Sequence, residues 1–186
     1  MDAVYFLINT VCNLYLMVVL LRIWLQLVRA DFYNPISQFT VKATQPILKP
    51  LRRFIPGFWG VDMAAVVLAI LVVSVKLALL YALNPNLLYD TPLSALVLFV
   101  ILSIIKTAGT MLFWVMLIQA LLSWVSQGRS PVEYMLFQLT GPILAPLRRI
   151  IPPLGGLDLS VLVAFIILQA LNLLMGSVFG PIWWQV

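Results

Sequence analysis

Pro50-Leu51-Arg52-Arg53-Phe54-Ile55-Pro56 returns 96 residues later as Pro146-Leu147-Arg148-Arg149-Ile150-Ile151-Pro152. Extended outward, Pro35 to Asp62 against Pro131 to Asp158 keeps 13 identities in 28 positions without a gap. Thr44/Thr140, Pro46/Pro142, Ile47/Ile143, Leu48/Leu144, Gly60/Gly156 and Asp62/Asp158 are among them. Chance does not produce such a run, so the chain is built twice from one plan. What repeats is a basic, proline-punctuated linker with a long apolar stretch on either side. The fold follows from what can hold those stretches.

Hydrophobic residues make up 63% of the chain and charged residues 9%, where a soluble domain carries about 25% charged residues. There is too little polar surface to cover a soluble core, and the chain belongs in a bilayer. Its net charge of +5 does not point to nucleic acid, because the basic residues are sparse and lie between apolar stretches, where anionic headgroups are the nearer partner. Cys12 is the single cysteine and sits inside the first apolar stretch, so no intramolecular disulfide forms. The chain has no histidine; it lacks the commonest metal ligand, the usual axial haem ligand and the usual base near neutral pH. No cofactor or metal is implied.

Four stretches meet the roughly 20 residues that a hydrocarbon core about 30 Å thick requires. Val4 to Val28 carries one charge, Arg22; Met63 to Leu83 carries Lys76; Leu93 to Ser126 carries Lys106; Leu159 to Phe179 carries none. The first is expected to stay as an anchor, since Met1-Asp2-Ala3 offers no positive segment and the apolar run is too long for a cleavable signal. The third has 34 residues, about 51 Å of helix at 1.5 Å per residue, too long for one upright span and too short for two.

Charge decides between one span and two. Arg29, Lys42, Lys49, Arg52 and Arg53 lie in the first linker and Arg129, Arg148 and Arg149 in the second; the amino terminus, Asn84 to Pro92 and the carboxyl tail carry none. The positive-inside bias places both linkers in the cytoplasm and both termini outside, which an even number of spans satisfies. The expected fold is all-α: four transmembrane helices in two parallel repeats, residues 1–88 and 89–186, each a helix, a cytoplasmic amphipathic basic linker (29–62 and 127–158) and a second helix. A pseudo-twofold axis along the membrane normal relates them, which disfavours inverted-repeat alternating access. Leu93 to Ile105 is read as an outward extension of the third helix, tilted, kinked near Gly109 or lying partly in the outer leaflet.

Within the linkers, Asn34-Pro35 and Ser130-Pro131 each set a polar N-cap before a proline, and Ser130 with Glu133 forms a capping-box pattern. Ile36, Phe39 and Ala43, then Val132, Met135, Leu136 and Leu139, recur at helical spacing and predict apolar faces lying in the membrane interface. Pro46 and Pro50, matched by Pro142 and Pro146, are expected to interrupt and restart each helix, holding the arginine pair on a stiff turn.

Arg52, Arg53, Arg148 and Arg149 have two readings: a site for an anionic headgroup or acidic partner, or topology signals that need no ligand. Asp62 and Asp158 either cap the following span or brace an arginine. Arg22 is expected to snorkel to the cytoplasmic side. Lys76 and Lys106 form a candidate intramembrane polar site; no acidic residue occupies any span, so they either snorkel outward or meet carbonyls, water or an anionic ligand in a polar cavity. Asn9, Asn13, Gln119, Gln169 and Asn172 read as packing polar groups, and Trp24, Trp124, Trp183 and Trp184 as interfacial anchors.

The duplicated Pro-Leu-Arg-Arg-x-Ile-Pro with its following Gly and Asp, together with Ser123-Trp124-Val125-Ser126-Gln127-Gly128-Arg129-Ser130-Pro131, resembles the bacterial YggT family of integral membrane proteins across essentially the whole chain. The resemblance implies an inner-membrane protein. It associates the chain with osmotic stress tolerance, with membrane and division-site organisation and, in plastids, with maturation of a b-type cytochrome. No catalytic residues come with it, and without histidine a role in cytochrome assembly would act by protein contact.

Two functions follow. The first is a non-enzymatic adaptor or membrane-organising factor whose basic linkers grip anionic lipid while the spans dock other membrane proteins. The alternative is an oligomeric, osmotically responsive channel or transporter with Lys76 and Lys106 near its route. An enzyme ranks third, since no nucleophile with a base, metal cluster or paired carboxylates appears in the sequence.

Overall fold

Apolar runs that cannot face water become helices in a bilayer, because only a helix or a closed barrel satisfies every backbone group internally. The computed structural model describes residues 2–58, 60–84, 92–126, 130–151 and 158–186. These residues form α1 (Asp2–Leu27), α2 (Pro35–Phe54), α3 (Met63–Leu83), α4 (Leu93–Ser126), α5 (Pro131–Ile150), α6 (Leu159–Phe179) and the short α7 (Pro181–Gln185). Ala3–Leu27, Met63–Leu83, Leu93–Ser123 and Leu159–Phe179 are long and apolar enough to cross a membrane. The architecture is that of a multi-pass helical membrane protein. Arg129, Pro152, Gly156, the connection 85–91 and the Trp124 side chain lie outside the described residues.

Helix α4 runs through Gly109 as one element, so Leu93 to Ile105 extends the third helix, as expected. The expected interruption of the linker helices is corrected: α2 continues through Pro46 and Pro50, and α5 through Pro142 and Pro146. In each helix the prolines stand four residues apart on an exposed face. The carbonyls they release, one turn back, lie on that exposed side, away from the packed face.

Capping differs between the linkers. Asn34 Oδ1 accepts from Ile36 N at 2.9 Å, and its Nδ2 donates to Pro131 O at 3.1 Å, tying together the starts of α2 and α5. Ser130 opens α5 with no side-chain capping bond, so its half of the expected box with Glu133 is not formed.

Neither linker helix lies loosely beside the bundle. Leu48 of α2 is buried among Leu16 and Val19 of α1 and Ala64, Ala65, Leu68, Ala69 and Val73 of α3. Leu144 of α5 is buried with Met116 of α4 and Val161 and Ala164 of α6. Met135, Leu136 and Leu139, expected to face the interface, instead pack with Leu25, Met111 and Val115. A stripe of this kind is covered equally well by lipid or by protein, and here α1 and α4 cover it. The inward face of α2 is mostly small and polar, with Ser37, Thr40, Thr44 and Leu48, while Phe39 is exposed. Helix α4 is the hub, touching α1, α3, α5 and α6.

Candidate functional site

The arginine pairs divide their labour. Arg52 Nε donates to Asp62 Oδ2 at 3.2 Å, and its Nη2 reaches the same oxygen. Arg148 Nε and Nη2 meet Asp158 Oδ2 at 2.8 and 2.7 Å. Each aspartate stands at the N-cap position of the next span, so the pair clamps the end of the linker helix to the start of α3 or α6. Asp158 also caps α6 by accepting from Ser160 N at 3.1 Å; Asp62 makes no capping bond. Arg53 and Arg149, one residue on, are exposed, and among the described residues neither forms an ion pair.

A second layer was not anticipated from the sequence. Arg22 does not snorkel; it is buried against α2, where Nη1 donates to Thr44 Oγ1 at 2.6 Å and Nη2 to Gln45 Oε1 at 3.3 Å. Thr44 Oγ1 in turn donates to Thr40 O at 2.7 Å. In the other half Gln119 is hydrogen-bonded to Thr140 Oγ1, which also faces Leu136 O at 3.0 Å. Arg22 and Gln119 precede the proline heading their linker helix by 13 and 12 residues. The available signal was the shared Thr44/Thr140: a polar residue kept in both copies on an inward face needs a partner.

Lys76 and Lys106 stay within the protein. Lys76 is fully buried; its Nζ donates to Asn13 Oδ1 at 3.1 Å and lies 5.8 Å from the centre of the Phe99 ring. Lys106 Nζ donates to Trp183 O at 2.7 Å and lies 5.5 and 5.8 Å from the Trp183 and Trp184 rings. Such ring faces attract an ammonium. Asn172, 96 residues after Lys76, accepts from Trp183 Nε1 at 2.9 Å. Each half thus sets a lysine and an asparagine on opposite spans. In the first half they meet directly; in the second Trp183 bridges them.

The bridge exists because the chain turns back at Gly180, whose φ of +57° is a conformation that L side chains rarely adopt. Trp184 then packs on Gly176, where an added Cβ would lie 2.5 Å from the indole. Trp183 is buried, not an interfacial anchor. Below it a cleft of about 650 Å³ opens between α4 and α6, lined by Lys106, Gly109, Phe113, Phe165, Gln169 and Asn172, among others. Phe113 and Phe165 meet at 4.8 Å between ring centres and prop the helices apart. Matching the threonine contacts sets Leu16 and Ala69 at the corresponding places in the first half, where α1 and α3 close tightly.

A family model described as CCB3/YggT matches residues 1–83 and 93–179. The chain is 57% identical over its full length, and that of the relative, to an uncharacterised protein in the proC 3′ region of Vibrio alginolyticus. It is 44% identical to the uncharacterised protein YggT of Escherichia coli K12, over 93% of this chain and 89% of that one. An uncharacterised protein of Haemophilus influenzae is 39% identical over 95% and 93%. No solved structure matches the chain. Family model and relatives agree over both halves: the chain belongs to the CCB3/YggT family.

Proposed function

We propose that this is a non-enzymatic adaptor of the bacterial inner membrane that serves osmotic stress tolerance. It is read as two parallel copies of one helix–linker–helix unit, with both termini periplasmic and both linkers cytoplasmic. Arg53 and Arg149 hold anionic headgroups, and the exposed faces of the spans dock other membrane proteins. One observation carries the reading: in each linker the first arginine is clamped to an aspartate while the second stands exposed. The clamp removes conformational freedom from the backbone bearing Arg53 or Arg149, so less entropy is lost when it binds an oxyanion. Exposed Phe39, Phe54, Tyr134 and Ile150 suit the same linkers to the membrane interface. The sidedness follows from the charge bias, and the family match in two segments supports the paired plan.

The test is a strain lacking the chromosomal copy, rescued with wild type or with Arg53→Glu/Arg149→Glu and challenged by osmotic shift. The double mutant is expected to insert at wild-type level yet fail to restore survival. Full rescue by the inserted mutant sinks the reading. The cleft beside Lys106 favours a competing reading, an oligomeric channel or transporter. Osmotically driven solute release from liposomes, lost in a folded Lys76→Ala/Lys106→Ala protein, would replace the adaptor with it.

A further inference from the structure

The cleft between α4 and α6 combines three properties. Apart from Lys106, Thr110, Gln169 and Asn172, its wall is glycine or apolar and aromatic residues, such as Phe113, Phe165 and Met175. Its length along α6, from Phe165 to Met175, is about 15 Å at 1.5 Å per residue. Within the 21-residue span Leu159–Phe179 this is the middle stretch, ending about 6 Å below the α7 end and reaching past the midpoint. Among the described residues its charge is unbalanced: Lys106 lies at the end where α7 folds back, and its partners there are a carbonyl and two ring faces. No span contains a carboxylate, and among the described residues the ion pairs belong to Arg52 and Arg148. A lysine has three protons to donate, and one is placed on Trp183 O. An ammonium at this depth without a counter-charge is costly.

We infer that the α4/α6 cleft is a binding site for one anionic phospholipid of the leaflet on the α7 side, with an acyl chain along Phe113 and Phe165 and a phosphate oxygen on Lys106. The charge selects the headgroup, and the apolar and aromatic wall receives the chain. Among the described residues the corresponding place in the first half is closed, because α1 and α3 pack over a fully buried Lys76. Gly109 lines this cleft and a smaller one against α1, and a Cβ there would meet nothing within 4 Å.

The experiment uses full-length protein in phosphatidylcholine vesicles doped with equal small amounts of chain-photoactivatable phosphatidylglycerol or phosphatidylcholine. Adducts are mapped by peptide mass spectrometry. Phosphatidylglycerol adducts within 105–113 and 165–175 are expected to exceed phosphatidylcholine adducts roughly fivefold, the worth of one lysine near an anionic lipid. Lys106→Arg keeps the excess and Lys106→Gln removes it. Gly109→Leu, which fills open space and leaves the charge in place, lowers adducts of both lipids. Equal labelling by the two lipids in wild type, or an excess that survives Lys106→Gln, overturns the inference. If Lys106→Gln does not insert, the wild-type ratio and Gly109→Leu decide it. An excess confined to the linker segments 35–54 and 131–150 also overturns it, while leaving the proposed role of Arg53 and Arg149 standing.

Discussion

The hairpin of α1 and α3 is shut; that of α4 and α6 is held open. In the first, Ala64, Ala65 and Ala69 bring α3 against Leu16 and Val19, and lysine meets asparagine across the seam. In the second, Phe113 and Phe165 stand where Leu16 and Ala69 would be, and Trp183 enters from beyond the end of α6 to join Lys106 to Asn172. A bilayer supplies no hydrophobic drive between helices, so small residues and packing decide how near two spans approach. A change of side-chain volume at one contact thus turns a seam into a cleft.

The two halves are expected to differ most at the clamps. Asp62 is 7% exposed and Asp158 35%, so Arg52→Ala strands a buried carboxylate and costs about 3 kcal/mol, whereas Arg148→Ala stays within about 1 kcal/mol. Denaturant titration in micelles, followed by circular dichroism, compares them; equal losses would contradict the difference in burial. Ala69→Phe imports the second half's wedge into the first and is expected to cost about 2 kcal/mol through overpacking, read from the same titration. No loss would mean that the α1/α3 seam has slack. Asn13→Leu deprives a buried ammonium of an acceptor, about 2 kcal/mol, against about 1 kcal/mol for Asn172→Leu, which strands only an indole N–H. Thermal unfolding of the two proteins side by side would show the order, and reversal would sink the account of the lysine sites. The smallest effect lies at the caps: Asn34→Ala costs about 1 kcal/mol and Ser130→Ala close to nothing. Matching losses would imply a capping bond at Ser130 after all.

The four spans were legible from length and hydropathy, with Met63 to Leu83 and Leu159 to Phe179 coinciding with α3 and α6, and the starts of the linker helices from Asn34-Pro35 and Ser130-Pro131. The arginine–aspartate brace was one of two alternatives that the shared Asp62 and Asp158 left open, and spacing could not choose between them. Other features were hidden for a common reason: a side chain's own identity does not name its neighbour. Met135 and Leu139 read the same whether lipid or α4 covers them. Arg22 sits where a snorkelling arginine would, and only the approach of Thr44 turns it inward. Pro46 and Pro50 looked like breaks because each loses a bond, but both stand on an exposed face and the helix continues through them. Trp183 reads as a boundary anchor because its return into the protein depends on a turn at Gly180.

The two lysines also differ in the order of synthesis. When the ribosome reaches Lys76, Asn13 was made 63 residues earlier, so the acceptor is already in place as the helix carrying the charge leaves the translocon. Lys106 must wait for Trp183, which follows it by 77 residues. The first hairpin can mature while the chain is still growing; the second crosses the membrane with its cation unmet by that carbonyl, open meanwhile to whatever the surrounding leaflet offers.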